Sequence, residues 1–344
     1  MGITKVEYFL LFLISFALVG FLTPLMRKIA ISQKIMDKPD SLHKSHKQSV
    51  PYLGGIAIII GIVLVTYSAS FFSEFTQNTF WLATSVLLPA IFLGFIGLID
   101  DIRKLSPWPR FIAQTAAALF TSILLITTDN FGNPTGSKIF DVCITVVWIV
   151  GICNSINFFD NLDGGAAGTI AVCSIGLALL SIDSEQYLIT AMSVVTLGAM
   201  LGFLIWNKSP ARIYMGDAGA LFLGILVGVL TIRLKPHTNS QLGSYSVPIL
   251  LLAVPIMDTS VAVISRIRRH ISPFQGGQDH LSHRLIRYGV PRKIAALILW
   301  ALAMFFVIIA IAISILNISE DTLVIFSFTI WVGIFGFFIS CKDS

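Results

Sequence analysis

The chain has 344 residues, 56% of them hydrophobic and 12% charged, with 23 Lys and Arg against 18 Asp and Glu for a formal net charge of +5 at pH 7. So apolar a composition, with a strongly positive mean hydropathy, excludes a soluble globular domain and places the chain among polytopic membrane proteins. Cys143, Cys153, Cys173 and Cys341 have neither metal-ligand spacing nor a disulfide framework and read as small buried hydrophobes.

Backbone groups in lipid must be satisfied within each segment, so the spans are expected to be helical. The apolar runs are continuous rather than alternating, which argues against a barrel. Eleven spans are expected, at about 7–27, 51–71, 81–99, 109–127, 139–156, 165–182, 187–206, 218–233, 246–266, 293–316 and 322–340, with ten as the alternative count. The first run is too long for a signal-peptide core and lacks a clear small-residue cleavage site, so it is expected to remain as the first span. The expected fold is thus an all-α integral membrane bundle, with residues 1–344 forming a single transmembrane domain.

The long loops at about 28–50 and 267–292 fall on one side under this count, and both are basic. Of the 23 Lys and Arg residues, all but Lys5, Lys138, Arg233 and Lys235 lie on that side. The positive-inside rule then puts the N-terminus outside and the C-terminus in the cytoplasm. Topology accounts for the basic balance, and no nucleic acid need be invoked.

The acids follow the same sorting. Asp100-Asp101 ends the third span, Asn154-Ser-Ile-Asn157-Phe-Phe-Asp160-Asn-Leu-Asp163-Gly joins the fifth and sixth, and Asn207 to Gly219, with Asp217, joins the seventh and eighth. Five carboxylates at one membrane face repel one another unless a cation or a proton sits among them. Oxygen ligands suit a hard cation, and Mg2+ takes one or two carboxylates together with water and substrate phosphates, with Mn2+ as the substitute. If the fifth helix continues, the three-residue spacing lines Asn154, Asn157, Asp160 and Asp163 along one drifting face; a helix end followed by a turn is the other reading.

Arg266, Arg268 and Arg269 leave the ninth span, and His280, His283 and Arg284 follow. Metal, carboxylates and basic groups at a lipid surface suggest phosphoryl chemistry on a phosphorylated lipid or a nucleotide, although sorting alone accounts for any single arginine. A zinc pair at His280 and His283 lacks a third ligand at familiar spacing. Asp258 is an intramembrane carboxylate, hence either functional or a structural hydrogen-bond acceptor. Gly54-Gly55 belongs to no phosphate-binding loop of the G-x-x-x-x-G-K type. A secondary transporter is the alternative class, but it would need midplane charges and repeated halves.

Taken together these motifs resemble the polyprenyl-phosphate N-acetylhexosamine-1-phosphate transferases from about Asp37 to about Gly289. The resemblance rests on Asp37-Lys-Pro-Asp with His46 and Pro51-Tyr-Leu-Gly-Gly55, and on Asp100-Asp101 with Leu105 and Gln114. It continues through Asn154-x-x-Asn157-x-x-Asp160-x-x-Asp163-Gly, Pro210-Ala-Arg-Ile-Tyr-Met-Gly-Asp217-x-Gly219, Pro255-Ile-Met-Asp258 and His280-Leu-Ser-His283-Arg.

The resemblance implies transfer of a sugar 1-phosphate from a UDP-N-acetylhexosamine to polyprenyl phosphate at the cytoplasmic face of the cell membrane, with Mg2+ as cofactor. The active-site loops would lie near 28–50, 100–110, 154–165, 207–219 and 267–292. Carried over by position, Asp217 is the main metal ligand, with Asn157 beside it. Asp100 is the acid that binds or deprotonates the lipid phosphate, and Asp101 is its partner. Asp160 and Asp163 belong to the nucleotide and metal side, while Asn154 and His46 join the substrate-binding set. Arg110 contacts the diphosphate; Arg266, Arg268, His280, His283 and Arg284 contact the diphosphate or the sugar. The resemblance allows a homodimer, for which the sequence holds no interface signature.

Three positions depart from the family pattern: Arg110 stands where Lys is common, Ser282 where the loop has a further His, and His43 where Arg is usual. The His loop is more similar to the GlcNAc-1-phosphate branch, so UDP-GlcNAc is the expected donor. The phospho-MurNAc-pentapeptide branch is the alternative.

Overall fold

The computed structural model describes residues 3–37, 49–72, 77–273, 277–316 and 319–341. The apolar runs fold as α1 (Lys5–Ser32), α2 (Gly54–Phe72), α3 (Gln77–Arg103), α4 (Pro107–Thr127), α5 (Lys138–Phe159), α6 (Gly165–Asp183), α7 (Tyr187–Asn207), α8 (Gly216–Arg233), α9 (Gln241–Leu251), α10 (Ala253–Arg268), α12 (Arg292–Ile315) and α13 (Glu320–Ser340), with a short α11 (Leu281–Arg287) in the loop before α12. Two short strands, β1 (Met36–Asp37) and β2 (Val50–Pro51), pair antiparallel. Among the described residues ten helices are long and apolar enough to cross a membrane, and the bent pair α9–α10 makes an eleventh crossing if it is one span. The protein is therefore an all-α polytopic bundle.

Three details differ from the expected spans. The ninth is not a straight helix: the chain breaks between α9 and α10 with a bend of 74°. Pro255 lies in the first turn of α10 and Pro248 inside α9; neither can donate an N–H, and a first turn is where proline fits best. Next, α3 runs on through Asp100 and Asp101 to Arg103, and Lys104 ends it in the left-handed region (φ 51°) with its N–H on the Asp100 carbonyl at 2.8 Å. Finally, α5 stops at Phe159, so only Asn154 and Asn157 share its face. Asp160 is the cap residue and Asp163 lies in the turn that follows.

Helix α8 is the axis of the bundle. All of its residues except Asp217 and Ile232 are buried, and α2, α3 and α5 pack around it. These contacts are backbone-close: a Cβ on Gly97 would fall 2.3 Å from the Asp217 carbonyl oxygen, and one on Gly55 would fall 2.2 Å from the Gly219 nitrogen. Small residues permit such approach where lipid supplies no hydrophobic drive between helices. The start of α2 also hydrogen-bonds to the chain entering α8, through Tyr214 N to Pro51 O (2.9 Å), Gly54 N to Tyr214 O (3.0 Å) and Gly55 N to Met215 O (2.9 Å). The ends of α3, α5 and α7 are thereby gathered at the start of α8.

Candidate active site

Asp217 lies in the first turn of α8, where free N–H groups and the helix dipole favour negative charge. Asp101 reaches across from α3 to cap this turn, accepting from Asp217 N at 2.8 Å and Ala218 N at 3.1 Å. Gly216 has φ +70°, and a Cβ there would sit 2.6 Å from an Asp101 oxygen, so both the turn and the cap require glycine. Asp100 is closed off: Leu105 N donates to Oδ1 at 2.6 Å and Arg110 Nη1 to Oδ2 at 2.6 Å. The same Arg110 nitrogen is 3.3 Å from Asp217 Oδ2, and Asn157 Nδ2 donates to Asp217 Oδ1. The Asp217 side chain is 29% exposed against 4% for Asp100, so Asp217 is the carboxylate open to a ligand.

Asp160 is placed among acids. Its carboxylate accepts no hydrogen bond among the described residues, and burial, followed by the charges of Asp217, Asp101 and Asp163, pushes it well above the usual carboxylate range. Such a group calls for a cation, and a partly exposed Asp217 beside it fits Mg2+, which completes its shell with water and phosphate oxygens. No group of three His, Cys, Asp or Glu side chains forms a closed cage among the described residues. Asp163 accepts from Ala211 N at 3.1 Å and the Tyr214 hydroxyl at 3.5 Å. Asn207 accepts from Gly164 N (3.1 Å) and donates to Ile213 O (2.9 Å). Together they tie the α5–α6 turn to the segment before α8. Asn154 donates to Gln114 Oε1 at 2.7 Å and Val150 O at 2.8 Å, an α4–α5 tie.

The basic loop docks on the same turn. Asn157 touches Asp217, Phe158 lies 6.2 Å from the His280 ring with the Arg266 guanidinium 5.3 Å from its centroid, and Asn161 accepts from Ser282 Oγ. Residues 157–161 thus join the acids to the His loop, and Ser282, one of the three departures from the family pattern, supplies one of the joints. Fully buried Asp258 receives Leu281 N at 2.7 Å and faces His280 Nδ1 at 2.7 Å, while Arg266 Nη2 lies 3.3 Å from His280 Nε2. This is consistent with Nδ1 carrying the proton and Nε2 accepting.

Not every expected residue reaches the site. Arg284 is 1% exposed and donates to Asp279 O, Phe338 O, Cys341 O and Ser265 Oγ. Its guanidinium holds the end of α13, at odds with the expected substrate contact. Arg268 points outward at the end of α10, while Arg269 joins Arg266 on Asp279. His46 lies outside the described residues. Sequence reasoning gave no role to Asp279, Arg269 or Asn161, although an acid wedged between arginines and histidines in Gln278-Asp279-His280 was a signal for an internal ion pair. Burial raises the Asp279 carboxyl, and the bonds and charges of Arg266 and Arg269 more than offset this and hold it below its ordinary value.

Burial, with His280 beside it, lowers the His283 imidazole to about 4. Because the folded value is below the unfolded one, this ring contributes stability above about pH 6.5 that is lost as pH falls toward 4, about 2 kcal/mol between pH 7 and pH 5. His283→Gln is expected to flatten that part of the acid dependence of the thermal midpoint. Equal slopes for both proteins would contradict a buried neutral ring.

A family model described as Glycosyl transferase family 4 matches residues 83–235. The chain is 32% identical over 333 residues to a probable undecaprenyl-phosphate N-acetylglucosaminyl 1-phosphate transferase of Bacillus subtilis (strain 168), covering 95% of this chain and 87% of the relative. It is 32% identical over 285 residues to a decaprenyl-phosphate N-acetylglucosaminephosphotransferase of Mycolicibacterium smegmatis, covering 74% and 70%. It is 30% identical over 247 residues to a phospho-N-acetylmuramoyl-pentapeptide-transferase of Staphylococcus carnosus, covering 66% and 75%. With likeness of this extent on top of the helical bundle and its acidic end, the chain belongs to glycosyl transferase family 4, the polyprenyl-phosphate N-acetylhexosamine-1-phosphate transferases.

Proposed function

We propose that this protein transfers GlcNAc 1-phosphate from UDP-GlcNAc to undecaprenyl phosphate, releasing UMP and leaving a lipid-diphosphate sugar. The observation that carries this reading is the meeting of Asp217, Asn157 and Arg110 at the start of α8, joined through residues 157–161 to the His loop. The names of the Bacillus subtilis and Mycolicibacterium smegmatis relatives support the GlcNAc donor. The sorting of Lys and Arg supports an outside N-terminus, a cytoplasmic C-terminus and a cytoplasmic site in the cell membrane, formed by the loops near 28–50, 100–110, 154–165, 207–219 and 267–292.

In the reaction an oxygen of the lipid phosphate forms a bond to the sugar-bearing β-phosphorus while the bond from that phosphorus to the bridging oxygen breaks, its electron pair leaving with UMP. The attacking oxygen is already anionic near neutral pH, so the protein's main task is alignment and charge neutralisation. Asp217, with Asp160 nearby, would hold Mg2+, which when bound would neutralise charge on the diphosphate. Arg110 uses only Nη1 on the two acids, leaving donors for phosphate oxygens. Asp100, with both oxygens engaged, acts through Arg110 as a positioning residue, and Asp101 holds the first turn of α8. Asp163 orders the nucleotide side, and His280, fixed by Asp258 and Arg266, faces the diphosphate or sugar.

The test is UMP release by purified protein given undecaprenyl phosphate, Mg2+ and a panel of UDP-sugars. The highest kcat/KM is expected with UDP-GlcNAc. Turnover of the UDP-MurNAc-pentapeptide alone would assign the chain to the branch named for the Staphylococcus carnosus relative. No UMP with any donor, from folded protein, would overturn the reading.

A further inference from the structure

We propose that the end of the bundle opposite the acids binds one anionic glycerophospholipid, its phosphate at Arg233 and Lys235 and an acyl chain in the cavity beside them. This does not depend on the transfer reaction. Helix α8 carries Asp217 in its first turn and Arg233 as its last residue, about 24 Å apart along the axis. Around Arg233 lies a cavity of about 1180 Å³, bounded by α1, α2, the starts of α3 and α7 and the α4–α5 loop.

The walls are those of a lipid groove. Leu10, Ile14 and Leu64 line the cavity and are 48%, 53% and 51% exposed, so it opens sideways at the apolar surface of the bundle. Met192 and Val195 form its buried back wall.

The polar end is a built site with unused donors. Arg233 is only 7% exposed; Nη2 donates to Asn130 Oδ1 at 3.2 Å, while Nη1 is buried with no partner among the described residues. Thr66 Oγ1, on the same cavity, is likewise buried and unpartnered. Lys235 is exposed at the rim, and among the described residues neither cation forms an ion pair. Two acids also line the cavity, Glu7 and Asp129. The Glu7 carboxylate is taken by Thr4 N at 2.6 Å and Thr4 Oγ1 at 2.8 Å, and Asp129 is exposed.

An uncompensated buried guanidinium donor is costly, and an anion removes that cost. The sequence makes the same point independently: only four of the 23 Lys and Arg residues lie on this side, and two of the four meet here. A phosphodiester offers one negative charge and acceptor oxygens to Arg233 Nη1 and Lys235. A zwitterionic headgroup brings a second cation against them, and free phosphate leaves the apolar walls uncovered.

The test is native mass spectrometry of the full chain in detergent with phosphatidylglycerol, phosphatidylcholine, undecaprenyl phosphate or inorganic phosphate added. One phosphatidylglycerol is expected to be retained about tenfold more tightly than phosphatidylcholine, and Arg233→Gln to lower that retention about tenfold, the size of one charge-assisted hydrogen bond. Lys235→Gln, at an exposed position, is expected to lower it several-fold with an unchanged thermal midpoint, which keeps the test decisive if Arg233→Gln does not fold. Val195→Trp, which fills the groove, should lower retention with both cations intact. Retention that ignores these substitutions, equal retention of phosphatidylcholine, displacement by inorganic phosphate, or a preference for undecaprenyl phosphate that Lys235→Gln abolishes would each overturn the proposal.

Discussion

Asp217→Ala is expected to lower UMP release at least about a thousandfold while the bundle still folds. Charge stabilisation at a transferring phosphoryl group is worth a factor of this order when a single fixed group is removed. Asp217 is the one acid at the start of α8 that is both partly exposed and approached by Asn157 and Arg110. Its backbone N–H, which Asp101 caps, is untouched by the substitution, so the helix start survives. A second readout separates metal binding from folding. A ligand that binds only the folded state raises the thermal midpoint, so Mg2+ with UDP-GlcNAc should raise it for the native protein and not for Asp217→Ala. A variant that keeps UMP release would overturn the proposed metal-binding role of Asp217.

Asp279→Ala is expected to be the most damaging single change outside the cluster of acids at the start of α8. Arg266 is 3% exposed in its side chain and gives Nε to Asp279 Oδ2 at 3.0 Å, and Arg269 holds the other oxygen. Removing the carboxylate leaves a buried guanidinium whose remaining partners among the described residues, the Pro273 carbonyl 2.8 Å from Nη1 and His280 Nε2 3.3 Å from Nη2, carry no negative charge. Breaking a buried pair from one side costs about 3–5 kcal/mol, a fall in the thermal midpoint of roughly 5–10 °C. The acid limb carries a second signature. The folded Asp279 carboxyl sits below its ordinary value, so its contribution is complete above about pH 4 and is lost as pH falls through the folded value. An Asp279→Ala midpoint within a degree of the native one would show that Arg266 finds other partners and that the His loop is held elsewhere.

Much of the bundle is legible in the sequence because lipid leaves the backbone so few choices: an apolar run of span length must close its hydrogen bonds within itself. The end of α5 was open between a continuing helix and a turn, and the structure takes the turn at Asp160. The bend before α10 was hidden although Pro248 and Pro255 were in view, because proline in a membrane helix either kinks it or is absorbed, depending on what packs alongside. Asp100, Asp101, Asn157, Asp160 and Asp217 meet at one end as their sorting suggested, but their separate tasks were not legible. Asp101 caps a helix from another part of the chain, Asp100 is closed by Leu105 and Arg110, and Asp160 has no donor among the described residues.

The sequence by itself determined that this protein is a helical membrane bundle with Asp100, Asp101, Asp160, Asp163, Asp217 and most of its cations at the same end, since hydropathy and charge sorting act on each segment locally. Only the tertiary structure decided which charges are free to work. Arg284 in α11 and Arg110 near the start of α4 are the same residue type, yet one is spent on the carbonyls at the end of α13 and the other stands between Asp100 and Asp217. That difference depends on which helix ends are brought within about 3 Å of a guanidinium, a matter of backbone-close packing at Gly55 and Gly97 that no local pattern encodes.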